Sequence, residues 1–298
     1  SNFWNVKYTN LFSMHTDTYN GSIQRKYAAS HQLSWNIVKN LNLTIFESVI
    51  FIGNDTLSKR GFDVNYLNPV IFYRPVEYAQ GSSDNVLLGA SLKYVFKEKY
   101  VVYGQFVLDE FLLSEYRNNN GWWANKFAAQ IGFKTYDIAN IENLSFQTEV
   151  NFIRPFTFAH KTSLLNYGHQ GQSLAHPLGS NFHESVTRLR YQLGKWYFEA
   201  KVIYIDRGED YNAVSYGGDI FRSYTDRDAE YDHEIGQGES HYIWYNEFKL
   251  AFNVLPKMNL RAFASYAFRS DKSTNGTMNL NLIQVGITSA LWNTYSDY

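Results

Sequence analysis

Apolar and polar positions alternate with a period of two along most of this chain, and a helical rhythm is hard to find. In residues 126–134, Phe127, Ala129, Ile131 and Phe133 share one face of an extended segment, with Gln130, Gly132 and Lys134 on the other. Residues 144–152 repeat this with Leu144, Phe146, Val150 and Phe152 against Gln147, Glu149 and Asn151. Trp196, Phe198, Ala200, Val202 and Tyr204 oppose Glu199 and Lys201, and Phe248, Leu250, Phe252 and Val254 oppose Glu247, Lys249 and Asn253. The alternation predicts about twelve strands, at 4–12, 23–38, 41–52, 86–97, 100–112, 125–137, 143–153, 184–194, 195–206, 241–255, 258–269 and 279–292. His31 and Glu47 interrupt apolar faces, so the second and third strands fit least well.

The joins are as informative as the strands. Short ones ("KNLN", "KEKY", "DIANIE", "LGK", "LPKM") alternate with long ones at about 13–22, 53–85, 113–124, 154–183, 207–240 and 270–278. Tight turns at one end and long loops at the other are the signature of an outer-membrane barrel, with short periplasmic turns and long extracellular loops. A soluble β-sandwich or barrel is the rival; it exposes a polar face and rarely alternates its loop lengths so strictly.

Composition sharpens the choice. The chain has 298 residues, 24 Tyr, 22 Phe and 7 Trp, and only 5 Pro. Tyr and Trp join an apolar body to a polar tip, which suits strands and membrane interfaces. No apolar run approaches the ~18 residues of a spanning helix, whereas a barrel strand needs only about 9–11 and can carry polar inward side chains. A mean hydropathy of −0.38 is therefore compatible with a barrel. A net charge of −1 gives no footprint for nucleic acid, and with no Cys, thiolate chemistry and disulfides are excluded. The chain opens at Ser1-Asn2 with no charged-then-apolar leader, as expected if a signal peptide has been removed or left out.

Arg188, Arg190, Glu199, Lys201, Glu247, Lys249 and Arg261 fall in the phase opposite the main apolar set. In a membrane barrel they face the lumen, because Arg or Lys against lipid at mid-depth costs about 2–4 kcal/mol. Arg188 and Arg190 are expected to pair with Glu149 and Glu199 across neighbouring strands, which favours a filled lumen over a wide pore.

The long segment after residue 153 holds "YGHQGQSLAHPLGSNFHESV", with His169, His176 and His183, and His160 just before it; these are half of the chain's eight histidines. Spacings of seven are unlike local metal motifs, so no metal site and no cofactor is expected. Ser173 and Ser180 beside histidines raise a lipid or glycan hydrolase, but no acid or amide partner stands out. Two readings stay open: imidazoles and amides as hydrogen-bonding groups of a self-packed loop, or the same groups with Trp122, Trp123 and Tyr167 contacting sugar. The acidic, Gly-rich stretch at 208–240 lacks the ordered spacing of a calcium loop and reads as solvated.

Five segments in order, "LNPVIFYRPVEY" (67–78), "LDEFLLSE" (108–115), "GWWANKFAAQIGFK" (121–134), "NFIRPFTFAH" (151–160) and "YGHQGQSLAHPLGSNF" (167–182), resemble the gliding-motility RemB-like outer-membrane proteins, which are similar to the Wzi capsule-assembly barrels. The likeness spans roughly residues 60–200. It implies a surface barrel that assists exopolysaccharide or capsule association, or gliding motility and its secretion machinery, without catalysis. By position it implies shared roles for Arg74, Glu77, Asp109, Glu110, Trp122, Trp123, Lys126, Arg154, His160, His176 and Asn181, as a glycan-binding set or a loop network. Arg74 and Arg154 are then expected to pair with Glu77, Asp109 or Glu110 and pin loops over the barrel mouth. Members of those families are larger, so an N-terminal portion is expected to be missing unless this is a compact relative.

The expectation is thus one all-β domain over 1–298, an antiparallel transmembrane outer-membrane barrel of about 12 strands. Its expected partners are outer-membrane lipid, surface polysaccharide and other motility or secretion proteins. The alternatives are a diffusion pore and a lipid or glycan hydrolase.

Overall fold

A computed structural model describes residues 5–19, 21–53 and 84–289. Twelve strands form one antiparallel sheet in which sequence neighbours are spatial neighbours. They are β1 (Val6–Tyr19), β2 (Ser22–Val38), β3 (Leu41–Phe51), β4 (Asn85–Phe96), β5 (Tyr100–Glu110), β6 (Lys126–Tyr136) and β7 (Leu144–Ile153). A two-residue hairpin of β8 (Gly168–His169) and β9 (Gln172–Ser173) lies in the next connection. The sheet resumes with β10 (Phe182–Leu193), β11 (Trp196–Glu209), β12 (Glu239–Leu255), β13 (Leu260–Ser273) and β14 (Gly276–Thr288). Each predicted strand is present.

Two predicted long joins are not. Tyr19 pairs with Ser22 and Ser273 with Gly276, so β1–β2 and β13–β14 are tight hairpins, with Gly21 at φ +73° beside the first reversal and Gly276, the first residue of β14, at φ +133°. The sequence reads "NG" at 20–21, the tight-hairpin dipeptide, and again at 275–276, one residue past the start of the Thr274-Asn275 turn; polar Thr16, Asp17 and Ser273 masked the strand alternation around them. Three described loops, 111–125, 154–181 and 210–238, crowd the same end of the sheet, and most of the predicted 53–85 loop lies outside the described residues. The 111–125 loop holds the short helix α1 (Leu113–Asn118), ended by Asn119 in the left-handed region. Closure into a barrel is not seen: among the described residues no ladder joins β14 to β1, so both are edges.

Register assigns the faces. Arg190, Glu199 and Lys249 lie side by side across β10, β11 and β12, as do Arg188, Lys201 and Glu247, on the face that the loops cover at one end (the inner face). The outward face carries exposed Ile131, Leu189, Phe198, Phe248 and Tyr266. Arg190 pairs with Glu199 at 2.6 Å and Lys201 with Glu247 at 2.7 Å. The expected Glu149 pairing does not form: Glu149 sits across from Val186 and accepts from Tyr103 Oη at 2.7 Å. His31 and Glu47 face each other across β2 and β3, both buried, and the Tyr8 hydroxyl bonds the His31 ring.

The main core lies where inner-face Leu87, Val107, Ala128, Ile153 and Phe182 meet Phe158 and Ile220 from two loops. Each large side chain buried there contributes about 1.5–3 kcal/mol, which fixes the loops onto the sheet.

Candidate functional site

The loop-covered end is the part of the molecule where polar side chains converge. Lys126, the first residue of β6, points inward with no solvent exposure. Its Nζ lies 3.1 Å from Asp109 and 3.3 Å from Glu110, donates to the Ala159 carbonyl at 3.3 Å, and sits 4.9 Å over the Tyr224 ring. Asp109 also accepts from the Phe158 amide at 2.8 Å. A buried cation thus ties β5 and β6 to both loops, and removing either buried charge would strand the other. His160 stands beside this cation, and burial first, then Lys126, pushes its pKa down to about 4. The Thr162 amide donates to its Nδ1 at 3.1 Å, consistent with a neutral ring. Burial, then Glu110, raises the Tyr224 pKa.

A second group surrounds Arg154. Its guanidinium donates to the carbonyls of Trp122 (3.3 Å) and His233 (3.2 Å). Arg154 therefore satisfies backbone of two loops and does not pair with Asp109 or Glu110 as expected; Lys126 occupies that position because it starts inside the strand and is already directed inward. Trp123 donates its indole N–H to Glu230 at 2.7 Å, packs on Tyr224 at 4.7 Å between ring centres, and is covered by the Arg227 guanidinium at 3.9 Å. That ring is used inside the protein, so Trp123 is not an open sugar platform.

Asn181, at φ +61°, is a clasp. Its amide N–H groups donate to the Gly208 and Gln237 carbonyls at 3.1 and 2.9 Å, and its oxygen accepts from the Gly236 amide at 2.8 Å. A Cβ on Gly208 would lie 1.8 Å from the Gln237 oxygen, so the strand and the returning loop meet only through glycine.

The histidines disperse. His176 Nδ1 accepts from the Leu178 amide at 3.2 Å, leaving Nε2–H to donate to Glu184 at 3.1 Å; Glu184 also accepts from Asn151 at 2.9 Å. His169 meets the Thr16 backbone at 3.1 Å and the His15 ring edge-on, and His183 packs on Phe152. Among the described residues no group of three metal-ligating side chains forms. Ser180 donates to the Gly217 carbonyl and not to a histidine.

Of the expected set, Asp109, Glu110 and His160 come together, Trp122, Trp123 and Arg154 form a neighbouring group, and His176 and Asn181 stand apart. Arg74 and Glu77 lie outside the described residues. Asp109, Glu110 and His160 line a cavity of only about 100 Å³, below the ~300–1,000 Å³ of small-molecule sites, so they are loop-pinning groups. Lys26, Tyr224, His233 and Gln237 were not foreseen. Lys26 on β2 is fully buried, donating to Asn166 at 2.6 and 2.9 Å. His233 meets Gln237 at 3.2 Å and the Ala229 carbonyl at 2.9 Å. An inward-phase lysine at the loop end of a strand is the signal that would have marked Lys26; the loop residues carry none.

No family model matches this chain, and no curated protein matches it. Similar solved structures include a FadL homologue of Pseudomonas aeruginosa, at 10% identity over 90% of this chain and 66% of that one, TM-score 0.33. Another is the siderophore receptor PirA of Acinetobacter baumannii, at 9% identity over 97% of this chain and 41% of that one, TM-score 0.35. The chain spans just under two thirds of the first and less than half of the second. Both likenesses are distant.

Proposed function

We propose that this chain forms the wall of an outer-membrane β-barrel whose folded loop layer, on the cell-surface side, is a non-catalytic association surface for exopolysaccharide or for motility and secretion machinery. The observation that supports it is the pairing of a continuous exposed apolar face with a charged inner face that loops cover at one end only. Water does not favour an outward face of Ile131, Phe198, Phe248 and Leu250 at 40–57% exposure, whereas lipid does. The RemB-like resemblance points the same way for the loop layer.

The test is a face swap. Ile131→Lys is expected to destabilise the membrane-inserted protein by about 2–4 kcal/mol, while its neighbour Gln130→Lys on the inner face costs much less. Heat-modifiable migration in detergent reads both. Equal, small effects would remove the lipid-facing assignment.

A transport pore is the second reading, favoured by a roughly 690 Å³ space at the loop-free end, lined by Thr9, Gln32, Ser34, Asn42, Ser91 and Lys93. Large steady conductance in planar bilayers would select it. Its absence, with a heat-modifiable barrel, supports the loop-closed reading.

A further inference from the structure

The outward face does not stop where the strands end. On β6 it is carried by Phe127, Ala129, Ile131 and Phe133, and three further rings gather on Phe127 at its loop end. Between ring centres, Phe106 of β5 lies 5.7 Å from Phe127, Phe111 6.3 Å and Tyr116 6.2 Å, and Phe111 and Tyr116 are 5.5 Å apart. These are the separations of packed aromatic pairs. Phe111 and Tyr116 belong to the 111–125 loop, so α1 is held on the outward side of the sheet, whereas the other two loops supply the inner layer.

The helix is fixed as well as placed. At its start the Leu112 amide donates to Oδ1 of buried Asn125 at 2.8 Å, and Asn119 closes it in the left-handed region. What it leaves bare is largely apolar. Leu112, Leu113 and Tyr116 are 46%, 50% and 54% exposed, and their spacings of three and four put them on one side of a helical turn. The acid of the helix is turned to the protein, since Glu115 accepts from Asn120 Nδ2 at 2.7 Å, while the cation of the last turn, Arg117, is exposed.

Continuity selects the occupant of this patch. Whatever meets Phe106 and Ile131 on the outward face also meets α1, because Phe127 and its rings join the two surfaces without a polar break. On the reading above that occupant is lipid. A tyrosine and a cation at the rim of an apolar band are the pattern of a membrane–water interface, where the apolar bodies lie among acyl chains and the polar tips reach the headgroups.

We propose that α1 is an interfacial anchor, with Leu112, Leu113 and Tyr116 lying at the headgroup–acyl boundary of the outer leaflet and Arg117 meeting lipid phosphate. It rests on the lipid-facing assignment of the outward face and goes beyond it. One loop then lies in the membrane plane while the others form the surface layer, and the upper boundary of the bilayer falls at the loop end of β5 and β6.

The chain has no Cys, so one introduced Cys carries one label. Leu112→Cys, Leu113→Cys, Ile131→Cys and Asp228→Cys full-length chains are labelled with nitrobenzoxadiazole and reconstituted into phosphatidylcholine vesicles that bear a nitroxide either on the headgroup or deep in the acyl chain. Ile131 is the reference within the wall, and exposed Asp228 in the 210–238 loop is the aqueous one. Labels at Leu112 and Leu113 should be quenched about twofold or more better by the headgroup nitroxide than by the deep one, as befits a helix at the headgroup–acyl boundary. The label at Ile131 should show the reverse order, and that at Asp228 little quenching by either. Deep quenching at Ile131 with none at Leu112 and Leu113 would overturn the anchor and leave the wall reading intact. Labels at Leu112 and Leu113 that report apolar surroundings yet escape both nitroxides would mean that protein, a second copy included, covers the patch, and would overturn it too. No quenching at Ile131 in heat-modifiable protein would remove the lipid-facing assignment, and the anchor with it.

Discussion

The arc of sheet under the loops and the arc beyond it solve the same problem in different ways. At the loop end of the strands from β2 to β10, several inner-face polar groups find partners out of the plane of the sheet: Lys26 in Asn166, Asn85 in the Leu165 carbonyl, Lys126 in the Ala159 carbonyl, and Glu184 in His176. Along β10–β13, away from the loops, they are satisfied within the sheet, by Arg190–Glu199, Lys201–Glu247 and Arg269–Asp271. β14 does neither. It exposes Met278, Leu280 and Leu282 on the inner face and Ile283, Val285 and Ile287 on the other. The difference teaches that the loops are interior, not ornament. They supply the partners that let lysines lie fully buried, while the lateral pairs stay partly wet and correspondingly weak.

The largest expected effect breaks the covered arc at its centre. Lys126→Met leaves Asp109, with 1% side-chain exposure, without its cation, and should cost about 3–5 kcal/mol in denaturant unfolding. Adding Asp109→Leu should recover much of it, because an apolar pair can replace a buried ion pair. The matching change on the uncovered arc, Lys249→Met, removes a cation 4.3 Å from the Phe263 ring and should cost at most about 1 kcal/mol. Similar losses at the two lysines would erase the distinction between the arcs.

Protonation gives the next effect. His160 is neutral in the fold down to about pH 4, whereas an unfolded histidine protonates near 6.5. Above pH 6.5 both states are neutral and the full stability is present; as pH falls from 6.5 to about 4 the unfolded chain takes up the proton first, and up to about 3 kcal/mol is lost. Below that the loss levels off. A His160→Gln variant should flatten this acid slope, and an unchanged slope would show that other groups carry it.

Asn181→Ala should cost about 1–3 kcal/mol through the stranded Gly208, Gln237 and Gly236 groups, and should speed proteolysis within 210–238. The smallest effect sharpens the other side: Arg190→Met, in a pair whose arginine side chain is 41% exposed, should change stability by less than about 1 kcal/mol.

Much of this was legible beforehand at the level of strands. Phe127, Ala129, Ile131 and Phe133 announce their shared face through the pleat alone, and the charges of β10–β13 fall on the opposite face as their phase requires. The two tight hairpins also left a mark in the chain, as Asn-Gly at 20–21 and at 275–276, and were obscured by polar strand residues beside them. The loop layer was legible only as a location. That Asp109 and His160 share a cluster follows from strand ends, but Arg154 choosing carbonyls over carboxylates, and Trp123 lying under Arg227, depend on where residues 224–233 return.

By itself, then, the sequence determined the antiparallel strands, their order and which side chains share a face, because pleat and hairpin pairing are local and repeat every two residues. Only the tertiary structure decided which lysine is buried and which loop residue answers it. Those outcomes depend on loops of more than two dozen residues folding back across several strands, and no periodicity in a loop records where it lands.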